Sequence, residues 1–438
     1  MSSDGPAVDA EIESLQRDAF RFFLQETDPQ TGLVLDKTAA DWPASIAATG
    51  LALAAYPVAV ERGFITRTAA TERVLATLRF FWNSRQGPEP DATGYHGFYY
   101  HFLDMQTGRR AWQCELSTVD STILLAGALA AGAYFDADTT EEREISTLAD
   151  ALYRRADWPW AQDGGATVTH GWKPENGFLK FRWQGYDEAL VLYILGLGSP
   201  THPLPEQSYS AWASTYEWKS SYGYDYLYAG PLFTHQISHV WIDFRGIQDA
   251  FMRDKGIDYF ENTRRATYVQ QHYAIDNPLK FVGYGRDCWG ITASDGPGSG
   301  PGPGPDTLKL NGIERRFFGY LARGVPYGPD DGTIAPWAVV ASLPFAPEIV
   351  LPAIDYLVNQ VDLKTGNPYG FKASFNPTYA ATSGNPYGWV SPWHYGINQG
   401  PIIPLIENYR TGLLWRLMRD CPYVVTGLRR AGFTGGWL

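Results

Sequence analysis

The stretch Gly185-Tyr186-Asp187-Glu188-Ala189-Leu190-Val191-Leu192-Tyr193-Ile194-Leu195-Gly196-Leu197-Gly198-Ser199-Pro200-Thr201-His202-Pro203 sets two acids at the head of an apolar run. No charged residue follows from Ala189 through Pro205. About ten apolar residues are too few to span a bilayer, and Gly196, Gly198 and Pro200 stop the run, so it reads as a core helix. A helix that is apolar on every side belongs deep in a large protein. Its first turn, carrying Asp187 and Glu188, therefore opens onto something enclosed.

The rest of the chain repeats the pattern. Helical spacing is expected over Glu11–Phe23, Ser45–Glu61, Thr66–Phe81, Ser121–Phe135, Ile247–Gln271, Asn311–Ala322, Thr333–Ser342, Glu348–Gln360 and Ile402–Arg419. Thr139-x-x-Glu142 is a capping-box pattern that opens another helix. Tyr95–Leu103 and Arg109–Gln113 flank the turn-like Asp104–Gly108 and predict a hairpin, and a second is expected within Trp158–Trp183. Eleven or twelve helices joined by long aromatic loops, with no strict sequence period, point to a double-layered helical toroid. One toroid can use all of residues 1–438 as a single domain, with 1–9 flexible and the Gly/Pro run 296–305 a surface loop.

Composition limits the partners. A formal charge of −12 argues against nucleic acid and anionic membranes, and a neutral ligand fits best. Trp 16, Tyr 27 and Phe 22 make 15% of the residues aromatic, many of them in Gly/Pro-rich connections. Such rings offer flat apolar faces and polar edges to sugars. Most must nevertheless be plain core. Three scattered cysteines exclude a disulfide framework and a thiolate metal site. The N-terminus shows neither the basic nor the apolar region of a signal peptide, so the compartment stays open: cytoplasmic, or periplasmic or secreted after removal of a leader.

Three acids carry candidate chemistry. Glu188 needs a raised pKa to act as an acid near neutrality, which apolar walls supply and a helix N-terminus opposes. Glu115 precedes the next apolar helix, where local capping does not explain it. Asp120 falls within Ser117-x-x-Asp120, itself a capping box. Two carboxylates facing one cavity are what glycoside hydrolysis requires. His235, His239 and Asp243 are spaced by four, but Gln236 stands where a zinc protease needs Glu. Polar ligand contact or a structural role is favoured there, and Asp243 and Arg245 can pair with each other. No metal or other cofactor is expected.

Taken together, Glu115–Asp120, Leu197–Pro203, His239–Gly246, Gly290–Pro297, Gln399–Pro401 and Glu407–Trp415 resemble the glycoamylase-like domain, which includes glycoside hydrolase family 144, the β-1,2-glucanases. The motifs run in order from Gln16–Phe20 to Trp415. The resemblance implies an all-α (α/α)6 barrel with short hairpins in its loops, and cofactor-free inverting hydrolysis of β-1,2-glucan. It makes Glu188 similar to the family's general acid, and Glu115 or Asp120 to the acids opposite. Asn398 departs from the Asp expected there in relatives. Trp172, Trp183, Trp289, Trp389 and Trp393 are candidate stacking residues. His170, His235, His239, Asp243, Arg245, Ser294, Asp295, Asn398, Gln399 and Glu407 are candidate polar contacts to a neutral oligo- or polysaccharide, with the protein a monomer. Transglycosylation at the same site, a sugar epimerase using His235 and His239, and a non-catalytic glycan binder are the alternatives.

Overall fold

The computed structural model describes residues 5–298, 306–310, 312–379 and 387–438. Its helices are α1 Gly5–Gln25, α2 Ile46–Glu61, α3 Arg67–Asn83, α4 Thr118–Tyr134, α5 Thr140–Arg155, α6 Leu190–Gly198, α7 Gln207–Ala213, α8 Leu232–Gln236, α9 Ala250–Lys255, α10 Tyr259–Asp276, α11 Pro336–Ala341, α12 Pro347–Asp355, α13 Gly396–Arg410, α14 Leu413–Arg419 and α15 Pro422–Arg430. Burial sorts them into two layers. Every residue of α2 from Ile46 to Ala59 is buried, as is all of α6, whereas α5 buries only the stripe Glu142, Ile145, Ala149, Leu152 and Tyr153. An all-apolar helix needs neighbours on every side, and an amphipathic one needs them on one side only.

The inner helices are α2, α4, α6, α8, α11 and α13. Each packs on the next, α6 reaching the 3-10 turn after α8 through the Val191 N–H to Ser238 Oγ bond, and α13 returns against α2. Around them α1, α3, α5, α10 and α12 back the ring, and α15 comes from the C-terminus to cover α6. This is an (α/α)6 barrel. Only short strands accompany it among the described residues, the largest sheet running through Gly94–Tyr95, Phe98–Tyr100, Leu116–Ser117, Gly171–Lys173 and Gly177–Phe178.

Capping fixes where the inner helices start. Ser45 and Ser117 cap α2 and α4 by accepting the Ala48 and Asp120 N–H groups. The two helices then approach so closely that a Cβ on Gly127 would lie 2.0 Å from the Gly50 carbonyl oxygen, backbone that has no flexible end to yield. Gly127→Ala should therefore lower unfolding free energy by about 3 kcal/mol, read as a shifted urea midpoint at constant slope. An unchanged midpoint would mean the two helices separate without cost.

Several expectations are corrected. The helix expected over Asn311–Ala322 is instead an antiparallel hairpin, Asp306–Leu310 on Ile313–Phe317, followed by Leu321–Ala322 paired with Ala293–Ser294. Asn311-Gly312 is a strong type I′ turn signal that outweighs the helical spacing; Gly312 has φ +81°. The helix expected over Ile247–Gln271 breaks at Gly256, in the left-handed region at φ +70°, and that over Ile402–Arg419 breaks at Gly412, likewise at φ +70°. The expected hairpins near 103–110 and 171–178 form. Most of the Gly/Pro run 296–305, and the extreme N-terminus of the expected flexible segment 1–9, lie outside the described residues.

Candidate active site

The six inner helices begin on one side of the ring, and their first turns surround a cavity of about 990 Å³. Ser45 opens α2, Ser117 and Asp120 open α4, and Glu188 precedes α6. Phe233 and Gln236 come from α8, Trp337 from α11, and Ile397 and Asn398 from α13. Trp42, Trp112, Trp183, Trp389 and Trp393 complete the walls. Trp183 stacks on His170 at 3.8 Å and 21°, and its Nε1–H bonds Thr118 Oγ1 at 3.0 Å, so its orientation is fixed.

Asp187 and Glu188 are not in the first helical turn. Ala189 is the N-cap of α6, and Asp187 turns back to accept the Ala189 N–H and the Trp212 Nε1–H, each at 3.0 Å. That bend leaves Asp187 outside the cavity lining and Glu188 in it. Burial pushes the Glu188 carboxyl up to about 7, its own backbone N–H opposes the rise, and the charge of Asp120 adds to it. Desolvation thus outweighs the favourable field of the helix start.

A cluster of acids shares the cavity with Glu188. Glu115 Oε1 meets His101 Nδ1 at 2.8 Å, and Asp120 Oδ2 lies 3.6 Å from His101 Nε2. Ser117 Oγ donates to Asp120 Oδ2 at 2.5 Å. Burial opposes charge on His101, yet Asp120, Glu115 and Asp36 raise it to about 9. Burial also disfavours ionised Glu115, but the His101 hydrogen bond and charge bring it below the usual carboxyl range. Asp36 is raised by burial, partly offset by the Trp42 Nε1–H bond at 2.9 Å. Asp295, on the same cavity, accepts Ser391 Oγ–H at 2.7 Å.

The floor is neutral. Both amide atoms of Asn398, Gln236 Oε1 and Trp337 Nε1 are buried without a hydrogen-bond partner among the described residues, and all three residues line the cavity. Gln236 spends its Nε2–H groups on Ala338 O and Ser342 Oγ, so its free atom only accepts, while the free indole atom only donates. Unpaired buried polar atoms are costly, and a hydroxyl-bearing ligand would satisfy them.

Of the expected site residues, Glu115, Asp120, His170, Trp183, Glu188, Asp295, Trp389, Trp393 and Asn398 line this cavity. The others do not. His235 and His239 are core groups bonded to Ala229 O and Thr263 Oγ1, and burial lowers them to about 4 and about 3. They offer the cavity no acid–base pair. Asp243 pairs with Arg245 and Arg419, and Arg245 lies over Trp415. Glu407 holds Arg62 by two bonds, of 2.6 and 2.8 Å; Gln399 donates to Phe371 O. Trp289 is fully buried, and Trp172 is in the sheet, packed on Tyr95 and Trp160. Ser294 helps hold the fully buried Arg323, which grips Asp331, Phe318 O and Gly319 O and so supports the segment bearing Tyr320 at the cavity. Among the described residues no group of three or more His, Cys, Asp or Glu side chains is placed to hold a metal ion.

Sequence reasoning missed Asp36, Lys37, Trp42, His101, Trp112, Gln236 and Tyr320 as cavity residues. His101 had a signal available: it lies within Tyr95–Leu103, the aromatic-rich first arm of the expected hairpin.

The chain is similar along most of its length to several known proteins. The Glycoamylase family model, described as "Putative glucoamylase", matches residues 180–422. The exo β-1,2-glucooligosaccharide sophorohydrolase (non-reducing end) of Parabacteroides distasonis is 29% identical over 97% of this chain. The chain spans 58% of the length of that curated relative. A solved Bacteroides uniformis structure under the same glucoamylase description is 33% identical, with TM-score 0.84 over 100% of this chain and 99% of that one. The endo-β-1,2-glucanase of Chitinophaga pinensis, solved with sophorotriose and glucose, is 27% identical with TM-score 0.84, covering 98% of this chain and 99% of its own.

Proposed function

The chain belongs to the Glycoamylase family, and from that premise we propose that it is a glycoside hydrolase that cleaves β-1,2-glucan by inversion. The observation that carries the proposal is the asymmetry of the cavity: a carboxyl raised to about 7 at Glu188, sharing the cavity with a histidine-bound acid cluster at Asp120 and Glu115. Glu188 donates its proton to the glycosidic oxygen as the bond from that oxygen to C1 breaks. A water attacks C1 from the other face, and its proton passes to Asp120 Oδ1. Both Asp120 contacts fall on Oδ2, so Oδ1 has no protein partner among the described residues. Exchange with solvent then restores both groups.

Substrate class follows from the walls and floor. Indoles supply stacking faces, and the unpaired Asn398, Gln236 and Trp337 atoms supply neutral donors and acceptors. The curated relative and the Chitinophaga enzyme, by their names, act on β-1,2-linked glucose chains, which supports that linkage here. Incubation with a panel of linear β-glucans tests the assignment: new reducing ends are expected from the β-1,2-linked polymer. Unchanged chain length with bound glucan would support a binding protein instead.

The acid also sets a pH dependence. Glu188 must be protonated in the free enzyme, so kcat/KM should fall as pH rises through about 7. Activity that stays level to pH 9 would remove Glu188 from the acid role.

A further inference from the structure

His101 has no part in the chemistry just described, yet it stands between two of the acids. It follows strand Phe98–Tyr100, and its ring stacks on Phe102 at 4.0 Å and 11°, which fixes the imidazole plane. One nitrogen meets Glu115 at 2.8 Å and the other lies 3.6 Å from Asp120, so a single ring spans the connection before α4 and the first turn of α4. A ring whose two nitrogens both face carboxylates has an acceptor on each side. It satisfies both only when both nitrogens carry protons.

We propose that His101 is a positioning residue: a doubly protonated clamp that uses Glu115 as its anchor, orients Asp120 Oδ2 together with Ser117, and thereby presents Asp120 Oδ1 to the attacking water. This rests on the hydrolase assignment above for its catalytic consequence, but not for the clamp itself. Glu115 becomes the anchor of the clamp rather than the base. The surrounding charges agree with this division. Asp36 faces His101 from the loop before α2, with Lys37 beside it. Lys173, on the strand next to Leu116–Ser117, favours ionised Glu115, and Glu115 in turn favours the charged form of His170 in the turn before that strand. Among the described residues His101 is the one basic group that pairs with Asp120, at 3.6 Å, and it does so in a burial that otherwise disfavours cations.

Two measurements separate the clamp from the hydrolase assignment. In the first, histidine side-chain NMR of the intact protein is followed against pH, with His101→Gln used to assign the signal. His101 should keep both ring protons beyond pH 8, and Asp120→Asn or Glu115→Gln should bring its titration down by about one unit or more. Titration of His101 at or below its ordinary value of about 6.5 overturns the clamp whatever the substrate. In the second, His101→Gln and Glu115→Gln are assayed on β-1,2-glucan. His101→Gln should lower kcat about tenfold or more with KM within about threefold, and move the acidic limb of kcat/KM upward by about one unit. Glu115→Gln should lower kcat less and leave the acidic limb where it is or lower, because His101 stays protonated there and the amide still accepts from Nδ1. An acidic limb unmoved in His101→Gln overturns the catalytic part. A wild-type protein inactive on every glucan refutes the hydrolase assignment and the clamp's catalytic consequence with it, while the NMR result still decides whether the clamp exists.

Discussion

Glu188→Gln should reduce release of reducing ends from β-1,2-glucan by about 10³-fold, within the range that general acid catalysis contributes. The glutamine is close to isosteric, but it cannot donate the proton the leaving oxygen needs. Because the loss concerns only the transition state, kcat should fall while KM changes little. The same variant should also be the more stable protein at alkaline pH. A carboxyl whose folded value is raised from 4.5 to about 7 is fully compatible with the fold below 4.5 and strains it as pH rises through 7. Glutamine escapes that ionisation, so at pH 8 the variant should resist urea better by about 1–2 kcal/mol. Lost activity with retained stability separates a missing proton from a damaged site. A variant that is inactive because it unfolds would leave the acid role unsupported.

The second large effect is at Asp120. Asp120→Asn keeps an acceptor for Ser117 Oγ but cannot take a proton from water, so turnover should again fall by about 10³-fold. Here the local structure is also involved, because Asp120 lies in the first turn of α4, whose N-cap is Ser117. Loss of a negative charge from a helix start costs about 0.3–1 kcal/mol, small beside the catalytic effect. Activity within tenfold of wild type would transfer the base role to another acid on the cavity, Asp36 or Asp295 being the groups positioned for it.

Much of the barrel was legible in the sequence because its inner helices have to be apolar all round. Ile46–Ala59, Ile123–Ala131 and Leu190–Gly198 could belong nowhere but inside a second layer of helices. Breaks were less legible, since Gly256 and Gly412 read as tolerated helical glycines until their left-handed backbone is seen. The hairpin around Asn311-Gly312 was readable from the turn pair and was obscured by apolar spacing on either side. For the site, Glu188, Asp120 and Glu115 stood out because each carries charge beside an apolar helix. His101, Asp36 and Trp42 did not, because they lie in connections whose sequence neighbours are ordinary and whose partners are distant in the chain. His235 and His239 misled for the converse reason: their spacing is that of ligands, but packing against α10 engages His239 Nε2 and His235 Nδ1 within the core.

The stereochemistry of the fresh product tests the central claim most directly. Proton NMR of β-1,2-glucan mixed with the enzyme, recorded before mutarotation, should show the α-anomeric reducing end first, since water attacks opposite Glu188 in a single displacement. A β-anomer appearing first, or longer and cyclic chains with no net gain in reducing ends, would contradict the paired roles of Glu188 and Asp120.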